Sequence, residues 1–324
     1  MRTRCRAAQR LNPVAYPDNY MCMARRVPAH GVHRGDGKVR PCHVSRNAAM
    51  IAPLCAAELL VFEGPDAIAF AHAQFSNDVK SLAVDTWQWN AWLDPQGRVR
   101  CFFALMRIGP TRLTAWLPLG GAEPMREALM RFVMRAALKL ETLAWTLHSL
   151  DAAAVPTALA SAQVIAHKGG YALLQPATPS RIAWIAPDRA ASIDTDALNR
   201  WRLDDIDAGL PLLSATLSGE FLAQALDLER FDAIRFDKGC YPGQEIAARL
   251  HFRGGNKRHL RRVRVYGEAP STGSAILDEG RATVGRILYC ASANIEASDA
   301  LAVLAPTQAD AAMFSAHGER IELC

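Results

Sequence analysis

Apolar and polar positions alternate with period two along most of this chain, and short stretches of helical period interrupt them. Residues 58–64 read as a short strand closing on a glycine. Pro65 and Asp66 then open a helix that carries Ile68, Phe70 and Ala71 at helical spacing to about Phe75, where Ser76-Asn77-Asp78 breaks it. Trp87, Trp89, Ala91 and Leu93 alternate as a strand, Asp94-Pro95-Gln96-Gly97 makes a hairpin turn, and 99–108 returns as the partner. A strand at 113–117 precedes a helix at 123–134, whose apolar side holds Met125, Leu129, Phe132 and Val133. Strands follow at 137–143 and 145–150. The Ala-rich stretch 151–162, interrupted by Pro156, reads as a helix and loop. Further strands fit 163–166, 171–175 and 182–186, and Asp194 caps a helix reaching about Trp201.

After His259 the helical patterns stop. Short β runs at 260–266, 275–277, 283–290 and 300–304, with a tail near Ile321, are punctuated by Gly267, Gly273, Gly280 and Pro306. That composition predicts a small barrel or sandwich. Mixed strands and helices followed by an all-β tail give an α+β fold class with a separate C-terminal module. At 324 residues the chain is long for one core, so more than one domain is expected. The expected division is a leader at 1–49, a main region at 50–250 and the barrel at 251–324.

Charge separates the leader from the rest. Residues 1–49 hold ten Arg/Lys against Asp18 and Asp36, a net +8; the total is +5, so the remaining 275 residues carry −3. The body is mildly acidic, and the basic balance says little about its partners. Prolines and glycines in the leader break any amphipathic helix, and it reads as a disordered segment or an upstream extension. No apolar run reaches the ~18–20 residues a membrane span needs. Eight cysteines form no C-x-x-C pair and no zinc-ligand spacing, which fits a reducing, cytoplasmic setting and no stably bound metal.

The most informative stretch is Lys238-Gly239-Cys240-Tyr241-Pro242-Gly243-Gln244-Glu245. It sets one thiol between two glycines, with an ammonium two residues before it. Pro242 suits the first turn of a helix, which places Cys240 just ahead of a helix N-terminus. A cation and a helix N-terminus both favour thiolate over thiol, so Cys240 is the candidate reactive group and Lys238 its support.

This octapeptide resembles the signature of the YgfZ family, folate-binding proteins linked to iron–sulfur cluster maintenance and tRNA modification. The resemblance continues in Arg253-Gly254-Gly255-Asn256-Lys257-Arg258, in Gln74-Phe75-Ser76-Asn77-Asp78-Val79, in Leu93-Asp94-Pro95-Gln96-Gly97, and in Trp201 with Ile206-Asp207-Ala208-Gly209. It implies an aminomethyltransferase-like architecture, with interleaved α/β subdomains and a small β-barrel around a central folate pocket. It also implies tetrahydrofolate or a derivative as cofactor, and iron–sulfur enzymes, tRNA-modifying ones among them, as partners.

A pterin needs a stacking face and a carboxylate for its N–H groups, and Trp201 and Asp207 are placed for those roles. The related proteins usually carry Glu where this chain has Asp207, and Ala56-Ala57-Glu58 stand where a family tryptophan is expected. Asn77 and Asp78 border the folate cavity in the relatives. Tyr241 holds the cysteine loop, and Gln244 and Glu245 bond the loop or the ligand. Arg249 to Arg264 contains seven Arg/Lys and no acid; Arg253 and Lys257, in the Gly254-Gly255 turn, are its candidates for an anionic tail. Aromatic residues are sparse there, so direct tRNA contact is not favoured. Two rival readings stay open. One is a folate-dependent aminomethyltransferase, which needs acids where Arg100 and Cys101 stand. The other is an RNA-directed binding module without folate.

Overall fold

A computed structural model describes residues 51–151, 159–177, 180–188, 190, 192–306 and 312–324. The leader at 1–49 and most of the Ala-rich stretch lie outside the described residues. Eight strands form one antiparallel sheet: β1 (Ile51–Glu63), β2 (Thr86–Leu93), β3 (Val99–Gly109), β4 (Arg112–Leu117), β5 (Lys139–Leu150), β6 (Val164–His167), β7 (Gly170–Gln175) and β8 (Arg181–Ala186). Their order is β2-β3-β4-β1-β5-β8-β7-β6. The sheet curls until its two edges touch. Thr86 bridges Gln163, and the Trp87 and Val164 amides bond the carbonyls of Ala162 and Asp85.

Period-two alternation sorts the side chains of this sheet to two main cores, with a smaller cluster of Leu150, Ala172, Ile182, Trp184 and Ala186 on β5, β7 and β8. Leu59, Trp87, Trp89, Ala91, Phe102 and Met106 face one, which is closed by helix α3 (Thr195–Asp207), by the segment through Phe221–Ile234, and by Leu288 and Leu301. Leu60, Phe62, Trp92, Phe103 and Leu105 face the other, covered by helices α1 (Ala67–Gln74) and α2 (Ala122–Met130). Helix α4 (Gln244–Arg253) leads into a closed barrel of β9 (His259–Tyr266), β10 (Ala275–Asp278), β11 (Thr283–Ser292), β12 (Ala297–Leu304), β13 (Met313–Ser315) and β14 (Arg320–Leu323). Val263, Val265, Ile276, Ile287, Ala300 and Ile321 fill it. The α+β class with a terminal barrel is as expected.

Four local expectations need correction. The first strand begins at Ile51 rather than Glu58, because a register shift between Pro53 and Cys55 absorbs the proline in the pairing with β5. The two strands expected at 137–150 are one, held along its length by β1. Helix α2 ends at Met130, where the chain tightens into turns with Phe132 and Val133 bonding back to Leu129 and Met130. Helix α3 continues to Asp207, so the acidic run 204–207 lies in its last turn rather than in a following loop.

Candidate functional site

The loop carrying Cys240 is fixed from four sides. Helix α1 ends at Gln74, leaving terminal carbonyls without helical partners. Lys238 Nζ reaches three nearby carbonyls, those of His72, Phe75 and Asn77, at 2.6, 2.6 and 2.8 Å. A cation at a helix C-terminus also complements the helix dipole. Burial pushes the ammonium down to about 8, while the three carbonyls use all of its protons. Lys238 therefore anchors the loop to α1, with its charge directed at that helix end.

Asn77 makes the second anchor. It is buried, and its Nδ2 donates to Trp89 O at 2.9 Å and to Asp232 O at 2.6 Å. Its neighbour Ser76 donates to Ala233 O at 2.6 Å and accepts from the Ala91 amide. Tyr241 makes the third: its hydroxyl donates to Arg235 O at 3.0 Å, and its ring lies 4.9 Å from Lys238 Nζ. The fourth is Gly243. With φ +77° and ψ −1° it is the third residue of a type II turn, closed by Gln244 N to Tyr241 O at 3.3 Å. Pro242 thus occupies the second turn position, and α4 begins after it at Gln244. A Cβ on Gly243 would stand 2.4 Å from Asp94 O and 2.8 Å from Gly97 Cα. The octapeptide and the Asp94–Gly97 turn are packed backbone to backbone.

Between these anchors Cys240 is exposed and free. Of the other thiols in the body, Cys324 is also exposed, and Cys55, Cys101 and Cys290 are half-buried. Burial pushes Cys55 up to about 11 and Cys101 up to about 12. Asp78, the next sequence candidate, accepts from the Lys80 and Ser81 amides, and its Oδ1 lies 3.1 Å from His72 Nδ1. Burial acts to raise its carboxyl, and those hydrogen bonds outweigh it, so the net shift is downward.

Trp201 and Asp207 belong to a second place. With Arg181, Arg200, Leu203 and Asp204 they line a cleft of about 480 Å³ between α3 and the ends of β1, β5 and β8. One face of the Trp201 ring is covered by the Arg181 guanidinium, 3.7 Å from its centroid, and only 6% of the residue is exposed. Arg181 also grips the buried Asp205 carboxylate, and its Nε is buried without a partner. Asp207 is exposed and pairs with Arg262 of the barrel, which bridges to Asp299 at 2.7 Å. Sequence reasoning missed Arg181, because nothing in the strand pattern of 182–186 distinguishes a preceding arginine that turns onto α3.

Glu245 and Arg253 lie in a third place, lining an open cleft of about 460 Å³ on α4 with Arg249 and Phe252. Gln244 opens the helix, and Lys257 is exposed in the turn beyond it, where Asn256 pins the chain to Gln224 O at 3.0 Å. The basic run is partly neutralised inside the molecule, since Arg262 and Arg264 both bond Asp299. Among the described residues no group of three or more His, Cys, Asp or Glu is placed to hold a metal ion, and no helix is long and apolar enough to cross a membrane.

An anchored exposed cysteine, buttressed by the Asp94–Gly97 turn and the Phe75–Asp78 loop, joins the motifs the sequence singled out. Over 226 residues the chain is 30% identical to the tRNA-modifying protein YgfZ of Pectobacterium carotovorum, covering 62% of this chain and 66% of that one. The protein of the same description from Escherichia coli O139:H28 is 29% identical over 222 residues, 62% and 68% of the two chains. The chain belongs to the YgfZ family. An uncharacterised Haemophilus influenzae protein is 28% identical over 212 residues, 63% of this chain and 69% of its own. No family model matches the chain. In fold it is similar to the glycine cleavage system aminomethyltransferase T of Bartonella henselae, at TM-score 0.63 over 84% of this chain and 86% of that one, with 14% identity. This neighbour agrees with the expected aminomethyltransferase-like architecture.

Proposed function

We propose that this protein is a cytoplasmic, folate-binding accessory factor that supports iron–sulfur cluster assembly or repair and, through it, tRNA modification, with Cys240 as its reactive thiol. The observation that carries this reading is the exposed Cys240, on a loop anchored by Lys238, Asn77, Tyr241 and Gly243. So much fixed structure around one exposed thiol suits a group that must be presented, and a merely structural cysteine needs none of it. The relatives described as tRNA-modifying supply the biological direction.

The cleft beside α3 fits a folate. Arg181 offers a buried, unpartnered Nε, Asp204 and Asp207 offer carboxylates for a pterin edge, and Arg200 is exposed for the anionic tail. Tetrahydrofolate, when bound, supplies a reduced one-carbon carrier. The aminomethyltransferase reading is disfavoured by positions 100 and 101. Arg100 lies 4.1 Å over the Trp92 ring and Cys101 is a half-buried thiol, so neither offers a carboxylate. The RNA-module reading is weakened by the internal pairing of Arg262 and Arg264.

Calorimetric titration with tetrahydrofolate tests the pocket. Saturable binding is expected in the wild type and in Cys240→Ala. Asp207→Asn should weaken it by about 1.5–3 kcal/mol, the worth of a hydrogen bond to a charged group. Absence of saturable binding in the wild type sinks the folate reading. Complementation in cells lacking the native protein tests the thiol: Cys240→Ser should fail to restore cluster-containing tRNA-modifying enzymes.

A further inference from the structure

Helix α4 turns outward a stripe that the folate and thiol readings do not use. Glu245, Ala248, Arg249, Phe252 and Arg253 stand at i, i+3, i+4, i+7 and i+8, so they share one face of the helix. Together they line the open cleft of about 460 Å³, while Ala247 is the buried residue of α4. Phe252 is 74% exposed. It is not a stray ring, since its centroid lies 4.6 Å from that of His251 and 6.1 Å from that of Phe236. An outward phenylalanine on a solvated helix face gains nothing from the fold. Exposed apolar groups rimmed by polar ones mark interaction sites.

The cations around this ring are free to act outward. Among the described residues, the side chains of Arg249, Arg253 and Lys257 have no ion-pair or hydrogen-bond partner. Arg262 and Arg264, by contrast, are tied to Asp299. The nearby acids are Glu245, in the stripe itself, and Glu229, which His251 engages at 2.7 Å. Positive charge therefore prevails on this face. Its frame is fixed as well. Gln224 Nε2 donates to the Ala247 carbonyl at 2.9 Å, Asn256 Nδ2 donates to Gln224 O at 3.0 Å, and His251 stacks on Phe236 with centroids 4.4 Å apart. A face already held in one shape loses little freedom on binding.

We propose that this stripe of α4 is a docking surface for an acidic segment of a partner protein, in which an apolar side chain covers Phe252 and carboxylates pair with Arg249 and Arg253. Arginine and aromatic side chains are the groups that carry most binding energy at the centre of protein interfaces. A guanidinium can also grip a carboxylate through two parallel hydrogen bonds. A nucleic acid is the poorer occupant. The Phe236 and His251 rings cover each other, which leaves Phe252 as the free stacking ring of the three, where a single strand uses successive rings. Glu245 repels a phosphate backbone but can accept from a peptide N–H. The surface needs neither the folate cleft nor Cys240.

The test is fluorescence anisotropy of a labelled synthetic peptide, a central phenylalanine between runs of aspartate and glutamate, titrated with the full chain at about 0.1 M salt. Saturable binding is expected, weakened about tenfold by Phe252→Ser and about tenfold by Arg253→Glu. Met134→Ser removes an 89% exposed apolar side chain in the turns after α2 and should bind as the wild type does. Melting curves confirm that each variant, altered at an exposed position, is folded. Absence of saturable binding overturns the proposal. Binding unchanged in Phe252→Ser also overturns it, because charge attraction alone would then account for the complex. Oligouridylate that binds more tightly than the peptide, and is lost in Arg253→Glu, would give the face to a nucleic acid instead. Sedimentation of the full chain alone covers the remaining occupant: a dimer that Phe252→Ser dissolves would give the face to a second copy. Tetrahydrofolate titration of Phe252→Ser should match the wild type, so failure of this surface and failure of the folate reading are told apart.

Discussion

At the scale of single residues, two glycines of the octapeptide do different things. Gly239 has no positive φ, and a Cβ there would stand 3.6 Å from His72 Nε2, an ordinary van der Waals contact. Gly243 takes a positive φ and lies against the Asp94–Gly97 turn. An alanine at 243 meets both a strained backbone and a 2.4 Å contact with Asp94 O. Gly219 is a natural control, since its φ is also +77° but nothing lies within 4 Å of its Cβ position. Left-handed backbone strain alone costs about 1–3 kcal/mol. Gly243→Ala should therefore lower stability by that much and more, and Gly219→Ala by the strain term only. Equal losses in denaturant unfolding would mean the close approach is relieved at no cost. The glycines were visible in the sequence as positions of backbone freedom. Which of them needed a positive φ and a close backbone approach was not, because that depends on residues 94–97, far away along the chain.

At the scale of elements, the reading from periodicity is accurate where apolar residues alternate or recur strictly and weak where they do not. The Trp87–Leu93 strand, its hairpin turn and the barrel strands were legible because each buries one regular face. The short 3-10 helices at Ala215–Leu217, Ala223–Leu226 and Leu228–Phe231, among the described residues, were not. They carry no repeating period and are shaped by packing under the curled sheet, where Leu217, Ala225, Leu226 and Leu228 are buried. The tie between α1 and the cysteine loop was equally hidden. Lys238 reads as a partner for the thiol two residues on, yet its acceptors are more than 160 residues earlier. Lys238→Met keeps a chain of similar length and removes the ammonium. Loss of its bonds to three carbonyls should lower stability by about 1.5–3 kcal/mol, toward the lower end because burial of the charge already offsets part of the gain. The amides of residues 75–78 should also exchange faster with solvent. Unchanged melting and unchanged exchange in that stretch would show that α1 and the loop hold together without it.

At the scale of the whole molecule, the sites sit where separate parts of the fold meet. The folate candidates lie where α3 crosses the ends of the sheet, and Arg262 extends that contact to the barrel through Asp207 and Asp299. The thiol lies where α1, the hairpin turn and α4 converge. These junctions place titratable groups out of water, and the stability of the molecule should record it. Burial and Lys238 lower His72 from 6.5, and burial and Lys168 lower His167 likewise. A histidine with a lowered folded pKa binds fewer protons folded than unfolded. Its contribution is present above the unfolded value of 6.5 and is lost as pH falls through the folded one. Asp205 acts in the opposite sense, because burial raises it to about 6 despite Arg181. A carboxyl raised in the folded state stabilises below its unfolded value, and that contribution disappears as pH rises through about 6. The melting temperature of the wild type alone therefore mixes opposing trends. The difference between wild type and His72→Gln removes every group they share. That difference should favour the wild type most above about pH 7 and shrink steadily toward about pH 5, as the buried imidazole is forced to take a proton beside Lys238. Parallel melting curves across that range would mean that His72 titrates alike in the folded and unfolded chain, and its burial against Gly239 would then carry no electrostatic consequence.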